Sequence, residues 1–75
     1  MEYLEQIADG LARDLLEIEA RTGNQDLVDE VMKTIGASST TLEEAFLTAV
    51  RIRRAEARAQ ALLARYREAL PPGGD

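Results

Sequence analysis

The 75-residue sequence has no cysteine, no histidine and no tryptophan, and its only two prolines stand together at Pro71-Pro72. Without cysteine the chain can form neither a disulfide framework nor a thiolate metal site, which fits a reducing compartment. Without histidine it lacks the side chain that most often moves protons near neutral pH and most often ligates metals. The remaining hydroxyl nucleophiles cluster at Ser38, Ser39, Thr40 and Thr41, where turn and cap duties account for them. Asp26, Asp29 and Glu30 lack the loop glycine and the oxygen-ligand spacing of a calcium site. We therefore expect no catalytic residue, no metal, no cofactor and no small-molecule substrate. Long apolar runs are also missing. The longest uncharged run, from Thr34 to Leu42, falls far short of the roughly 20 apolar residues of a membrane span. The first residues are acidic where a signal peptide is basic. The expectation is a soluble, unprocessed, cytoplasmic chain with no membrane partner.

Charge is present in quantity but segregated. The net charge is −5. Residues 1–44 carry eleven carboxylates against Arg13, Arg21 and Lys33, whereas residues 45–70 carry six arginines against Glu56 and Glu68. One part of the chain is built to attract another.

Periodicity indicates an all-α fold in long-short-long order, an antiparallel helical bundle within a single domain over residues 1–70. The first helix should cover 2–21, with Leu4, Ala8, Leu11, Leu15 and Ile18 on a heptad stripe widened by Ile7, Ala12 and Leu16. The turn dipeptide Asp9-Gly10 stays in phase with that stripe, so the helix should continue through it, with Gly10 permitting a close helix contact. Gly23 follows as a left-handed stop. A second helix over 25–35, capped by Asn24 and ended by Gly36, places Leu27, Val28, Val31, Met32 and Ile35 on one face. The third, over 40–70, opens on two Thr-x-x-Glu capping boxes, Thr40/Glu43 and Thr41/Glu44, and stops at Pro71. Strand-like alternation occurs only in Ala55-Glu56-Ala57-Arg58-Ala59, whose residues favour helix. Residues 71–75 read as a disordered tail.

The long third helix dominates the chain. Leu42, Ala45, Ala49, Ile52, Glu56, Ala59, Leu63, Tyr66 and Leu70 alternate steps of three and four, a coiled-coil-like seam broken only by Glu56. At 1.5 Å per residue this helix spans roughly 43 Å, longer than either other helix can cover. We assign Ile52, Ala59, Leu63, Tyr66 and Leu70 to a partner or oligomer interface. Arg51, Arg58 and Arg65 recur every seven residues, with Arg54 between the first two at steps of three and four, and the four form a positive stripe, with Arg53 and Arg67 beside the seam. The stripe suits either a phosphate backbone or the carboxylates Glu2, Glu5, Asp9, Asp14 and Glu17 of the first helix. Internal pairing is the preferred assignment.

One segment carries a familiar pattern. Gly36, Ser38, Thr41 and Leu42, with Val31 and Ile35 ahead of them, resemble the helix-turn-helix of bacterial DNA-binding proteins across residues 27–50. The resemblance implies a positive-φ glycine at the turn and a recognition helix beginning near Thr41. It departs from the family at Met32, where a small residue is usual, and at Glu43 and Glu44, which would face phosphates. The leading functional reading is a non-enzymatic helical protein that self-associates, or acts as an adaptor for a larger protein. The alternative is a DNA-associated protein resembling small transcriptional regulators or the small DNA-packaging subunits of phage-like particles.

Overall fold

The computed structural model describes residues 2–73. It is all-α, with α1 over Glu2–Thr22, α2 over Leu27–Gly36 and α3 over Thr40–Glu68 packed as a helical bundle. No strand occurs among the described residues.

Each helix end has a local cause. In α1, Glu2 and Glu5 lie in the first turn and Arg21 in the last, complementing the helix dipole. The helix runs unbroken through Asp9-Gly10 and stops at Gly23, whose φ of 71° is the left-handed conformation that glycine adopts without strain. The Gly23 N–H donates to the Glu19 carbonyl at 2.7 Å. The Asn24 side chain accepts from the Asp26 N–H at 3.1 Å, so it shapes the turn instead of capping α2. Asp26 takes the cap position, and α2 begins at Leu27, later than the sequence pattern indicates.

The start of α3 differs from expectation in a way that changes the role of two residues. Its cap is Ser39, in an extended conformation, whose Oγ accepts from the Leu42 N–H at 3.0 Å. Thr40 and Thr41 are already helical, so neither forms the expected capping box. Serine is the better cap, and one residue of slippage among Ser38-Ser39-Thr40-Thr41 is invisible to periodicity. The Glu43 carboxylate lies over Gly36 instead, where an added Cβ would come within 2.6–3.1 Å of its oxygens. Gly36 has no positive φ. Its lack of a side chain makes room for Glu43, and the expected left-handed glycine turn is absent.

Five residues form the buried core: Ala8, Ala12 and Leu15 from α1, Phe46 and Val50 from α3. Leu27, Val28, Val31, Met32 and Ile35 of α2 pack against it with Leu16 and Ala49. Alanine at 8 and 12 lets α1 approach closely while Phe46 fills the space between the helices. This corrects the expected seam. Phe46 and Val50 stand one residue beyond the seam positions Ala45 and Ala49. The seam itself is half-buried only as far as Ala49 and exposed from Ile52 onward. The α1 stripe divides likewise, with Ala8, Ala12 and Leu15 buried while Ile7, Leu11 and Ile18 face outward.

Both α1 and α2 cover the first half of α3. From Ala55 to Leu70 every residue except Ala64 is exposed, so α3 projects as an arm and the molecule is 54 Å long but 13 Å thin. Pro71–Gly73 are exposed as well, and the remainder of the expected tail, Gly74 and Asp75, lies outside the described residues.

Three substitutions test the core and the α3 cap. Phe46→Ala should cost about 3–5 kcal/mol in urea unfolding at fixed chain concentration. Ser39→Ala should cost about 0.5–2 kcal/mol, whereas Thr41→Ala should stay within about 0.5 kcal/mol of wild type. The reverse order for Ser39 and Thr41 would return the cap to the threonine.

Candidate interaction surfaces

Two ion pairs tie α1 to α3 at the edge of the core. Arg53 donates to Asp9 through Nε at 2.6 Å and through Nη2 at 2.7 Å, the two-pronged geometry that suits a guanidinium to a carboxylate. Arg54 Nη2 lies 2.8 and 3.1 Å from the two Glu19 oxygens. The hydrogen bonds from Arg53 hold the Asp9 carboxyl below its ordinary pKa of 3.8, against the opposing effect of desolvation. The same bond raises the Arg53 guanidinium.

The positive stripe is therefore only partly neutralised from within. Arg54 finds a carboxylate on α1, though at Glu19, outside the expected set. Arg51, Arg58 and Arg65 are exposed and make no ion pair among the described residues. Of the expected carboxylates, Asp9 pairs with Arg53, and Asp14 lies 3.4 Å from its neighbour Arg13 with both side chains about two-thirds exposed. Arg53 stands beside the seam on another phase, yet it makes the shortest pair. Reach decides this, because an arginine just past Val50 lies within span of the α1 carboxylates.

The assigned interface residues form one outward face on the arm. Ile52, Tyr66 and Leu70 are 63, 68 and 64% exposed, Leu63 is half-exposed, and Ala59 lies in the open between them. Leu62, which the heptad reading omitted, joins the same face and is also half-exposed. Its signal was the doubled leucine at 62–63, which widens the seam at that turn. Toward the core the face continues into a groove of about 480 Å³ between α1 and α3, lined by Leu4, Glu5, Ala8, Ala45, Ala49 and Ile52 among others.

A second apolar face runs along α1 and includes Tyr3, Ile7, Leu11 and Ile18, with Tyr3 74% exposed. Gly10 lies in this face, and a Cβ there would meet nothing nearer than the Arg13 guanidinium at 4.0 Å. A mid-helix glycine costs about 1 kcal/mol relative to alanine. The close helix contact expected at Gly10 is not made within the chain, so its own packing does not require that glycine.

At the α2–α3 corner, Gly36 and Leu42 are half-buried while Ser38 and Thr41 are exposed. The Ser38 and Ser39 N–H groups donate to the Ile35 carbonyl at 3.0 and 2.8 Å, and Ala37 stays in the right-handed helical region. Glu44 is exposed on the first turns of α3 and Glu43 is half-buried, so the corner presents carboxylates where a recognition helix would meet phosphates.

No family model, curated protein or solved structure matches this chain. Among the described residues no helix is long and apolar enough to cross a membrane.

The Asp9–Arg53 pair yields a pH prediction. Because the folded pKa of Asp9 lies below its ordinary value, the pair's stabilisation is complete above pH 3.8 and is lost as pH falls through the depressed value. Asp9→Asn should lower the urea midpoint at neutral pH, by less in high salt. The gap from wild type should close as the pH drops below 3.8. A gap unchanged by acid would mean that Asp9 acts through packing.

Proposed function

We propose that this chain is a small, non-enzymatic helical protein that works by self-association. The observation that carries this reading is the arm of α3, where Ile52, Leu62, Leu63, Tyr66 and Leu70 form an apolar face with no cover from α1 or α2. Monomers rarely leave a contiguous face of this kind in water, because each exposed large apolar side chain forgoes about 1.5–3 kcal/mol of burial. A chain of this length buries only about 60% of its unfolded surface by folding alone, so association supplies what its small core does not. An adaptor role toward a larger protein would use the same face.

The arginines support a second reading. Arg51, Arg58 and Arg65 lie exposed along α3 without carboxylate partners among the described residues, and such a stripe suits a phosphate backbone. The carboxylates at the α2–α3 corner weigh against entry of the α3 N-terminus into a groove, so this reading places DNA along the arm.

Sedimentation tests the first reading. Wild type should form an oligomer at micromolar concentration, with a melting temperature that rises with concentration. The triple variant Leu62→Gln, Leu63→Gln, Leu70→Gln should be a helical monomer. A monomeric wild type whose melting temperature ignores concentration would refute self-association. Micromolar affinity for duplex DNA at about 0.15 M salt, abolished by Arg51→Gln, Arg58→Gln, Arg65→Gln, would favour the second reading.

A further inference from the structure

The arm is one of two uncovered apolar faces, and the two match each other. On α1, Tyr3, Ile7, Leu11 and Ile18 recur at steps of four, four and seven and so share one side of the helix, with Gly10 and Asp14 among them. From Tyr3 to Ile18 that face is roughly 22 Å long, and from Ile52 to Leu70 the arm's face is roughly 27 Å. Their charges are opposite. After the Arg53 and Arg54 pairs are set aside, α1 still carries Glu2, Glu17 and Asp14, the last 3.4 Å from its neighbour Arg13, while α3 from Arg51 onward carries Arg51, Arg58, Arg65 and Arg67 against Glu56 and Glu68. Small residues also correspond, because Gly10 lies near the middle of one face while Ala55 and Ala59 lie on the other.

Resting on the self-association reading, we propose that the outer face of α1 in one copy packs against the arm of α3 in a second copy. The contact explains a glycine that the chain's own packing does not require, since Gly10 and Ala59 allow two helices to approach closely. It also selects among the ways two copies can meet. Antiparallel pairing of two arms would set the Arg58 and Arg65 flank against itself, and like charges beside a seam repel. Pairing of two α1 faces would oppose carboxylates in the same way. The mixed contact alone brings Asp14 and Glu17 toward the arginines. Each copy offers both faces, so a twofold dimer that makes the contact twice is the smallest assembly that covers both. Together the faces present roughly 500 Å² in projection, of the order of the roughly 800 Å² of accessible surface per partner in a standard interface.

Charge reversal in two complementary chains tests the pairing. One chain carries Arg58→Glu and Arg65→Glu, the other Asp14→Lys and Glu17→Lys, and far-UV circular dichroism checks that each is folded. Alone, each should associate about tenfold or more weakly than wild type. Mixed in equal amounts they should recover near wild-type affinity, because in the mixed dimer both contacts regain opposite charges. Gly10→Ile should weaken association by a similar factor while leaving the dilute chain helical. If wild type is an oligomer but Asp14→Lys, Glu17→Lys associates normally alone, the arm pairs with another surface and this contact is wrong, with self-association intact. A mixture no tighter than its parents has the same meaning. A monomeric wild type would remove both proposals.

Discussion

The fold depends on the burial of Phe46 against Ala12 and Leu15 of α1. Phe46 is fully enclosed, and among the described residues only Ala8, Ala12, Leu15 and Val50 are comparably buried. Ala12 takes little room beside the ring, so α1 and α3 can approach closely there, and Leu15 fills the space next to it. The five partly buried apolar residues of α2 then close the cluster from the remaining side. Because this cluster sits in the first half of α3, both shorter helices are committed there and none of the other described residues covers the rest.

Arg53 and Arg54 mark the boundary of the packed region. Adjacent residues point about 100° apart around a helix, so they reach Asp9 and Glu19 on different turns of α1. Beyond them the helix continues for reasons other than burial. Alanine at 55, 57, 59, 61, 64 and 69, with leucine, arginine, glutamate and glutamine between, is close to an ideal helix-forming composition. The unfavourable nucleation step has already been taken within the core, so the arm only has to propagate. Local propensity therefore suffices to keep the arm helical, and its large apolar residues contribute nothing to the chain's own core. That separation is the strongest physical reason to assign them to another molecule.

Helix number, order and approximate limits were legible because they follow from period and punctuation: the Gly23 stop, the apolar face of α2 and the proline pair after α3 are local signals. Facing direction was less so. On α1 the apolar positions 4, 7, 8, 11, 12, 15, 16 and 18 cover more than half the circumference, and no rule of spacing says which edge turns inward. The answer depended on packing with Phe46 and Val50, which takes in Ala12 and Leu15, and that is a tertiary fact. The same problem moved the α3 core from the regular seam to the Phe46–Val50 pair, which has only two members and so no visible period. Among charges, the sign asymmetry between halves indicated that α1 and α3 attract. Individual partners did not follow from it, since Arg53 and Glu19 were selected by reach across a particular crossing.

The arginines link the two functional readings in a way that makes them antagonistic. On the proposed contact, Arg58 and Arg65 lie against the carboxylates of a second copy, and these are the side chains that a phosphate backbone would need. Two ligands that require the same charges exclude one another, so occupancy by either lowers affinity for the other by the same factor. Salt alone does not separate the readings, since raising it weakens both contacts. Protein concentration does separate them, because it drives self-association and thereby withdraws the arm from nucleic acid. A stripe that bound DNA as its main task would be poorly placed beside an apolar face that, on the proposed function, draws copies together. On the proposed contact, the same stripe would choose which helix of a second copy the face meets.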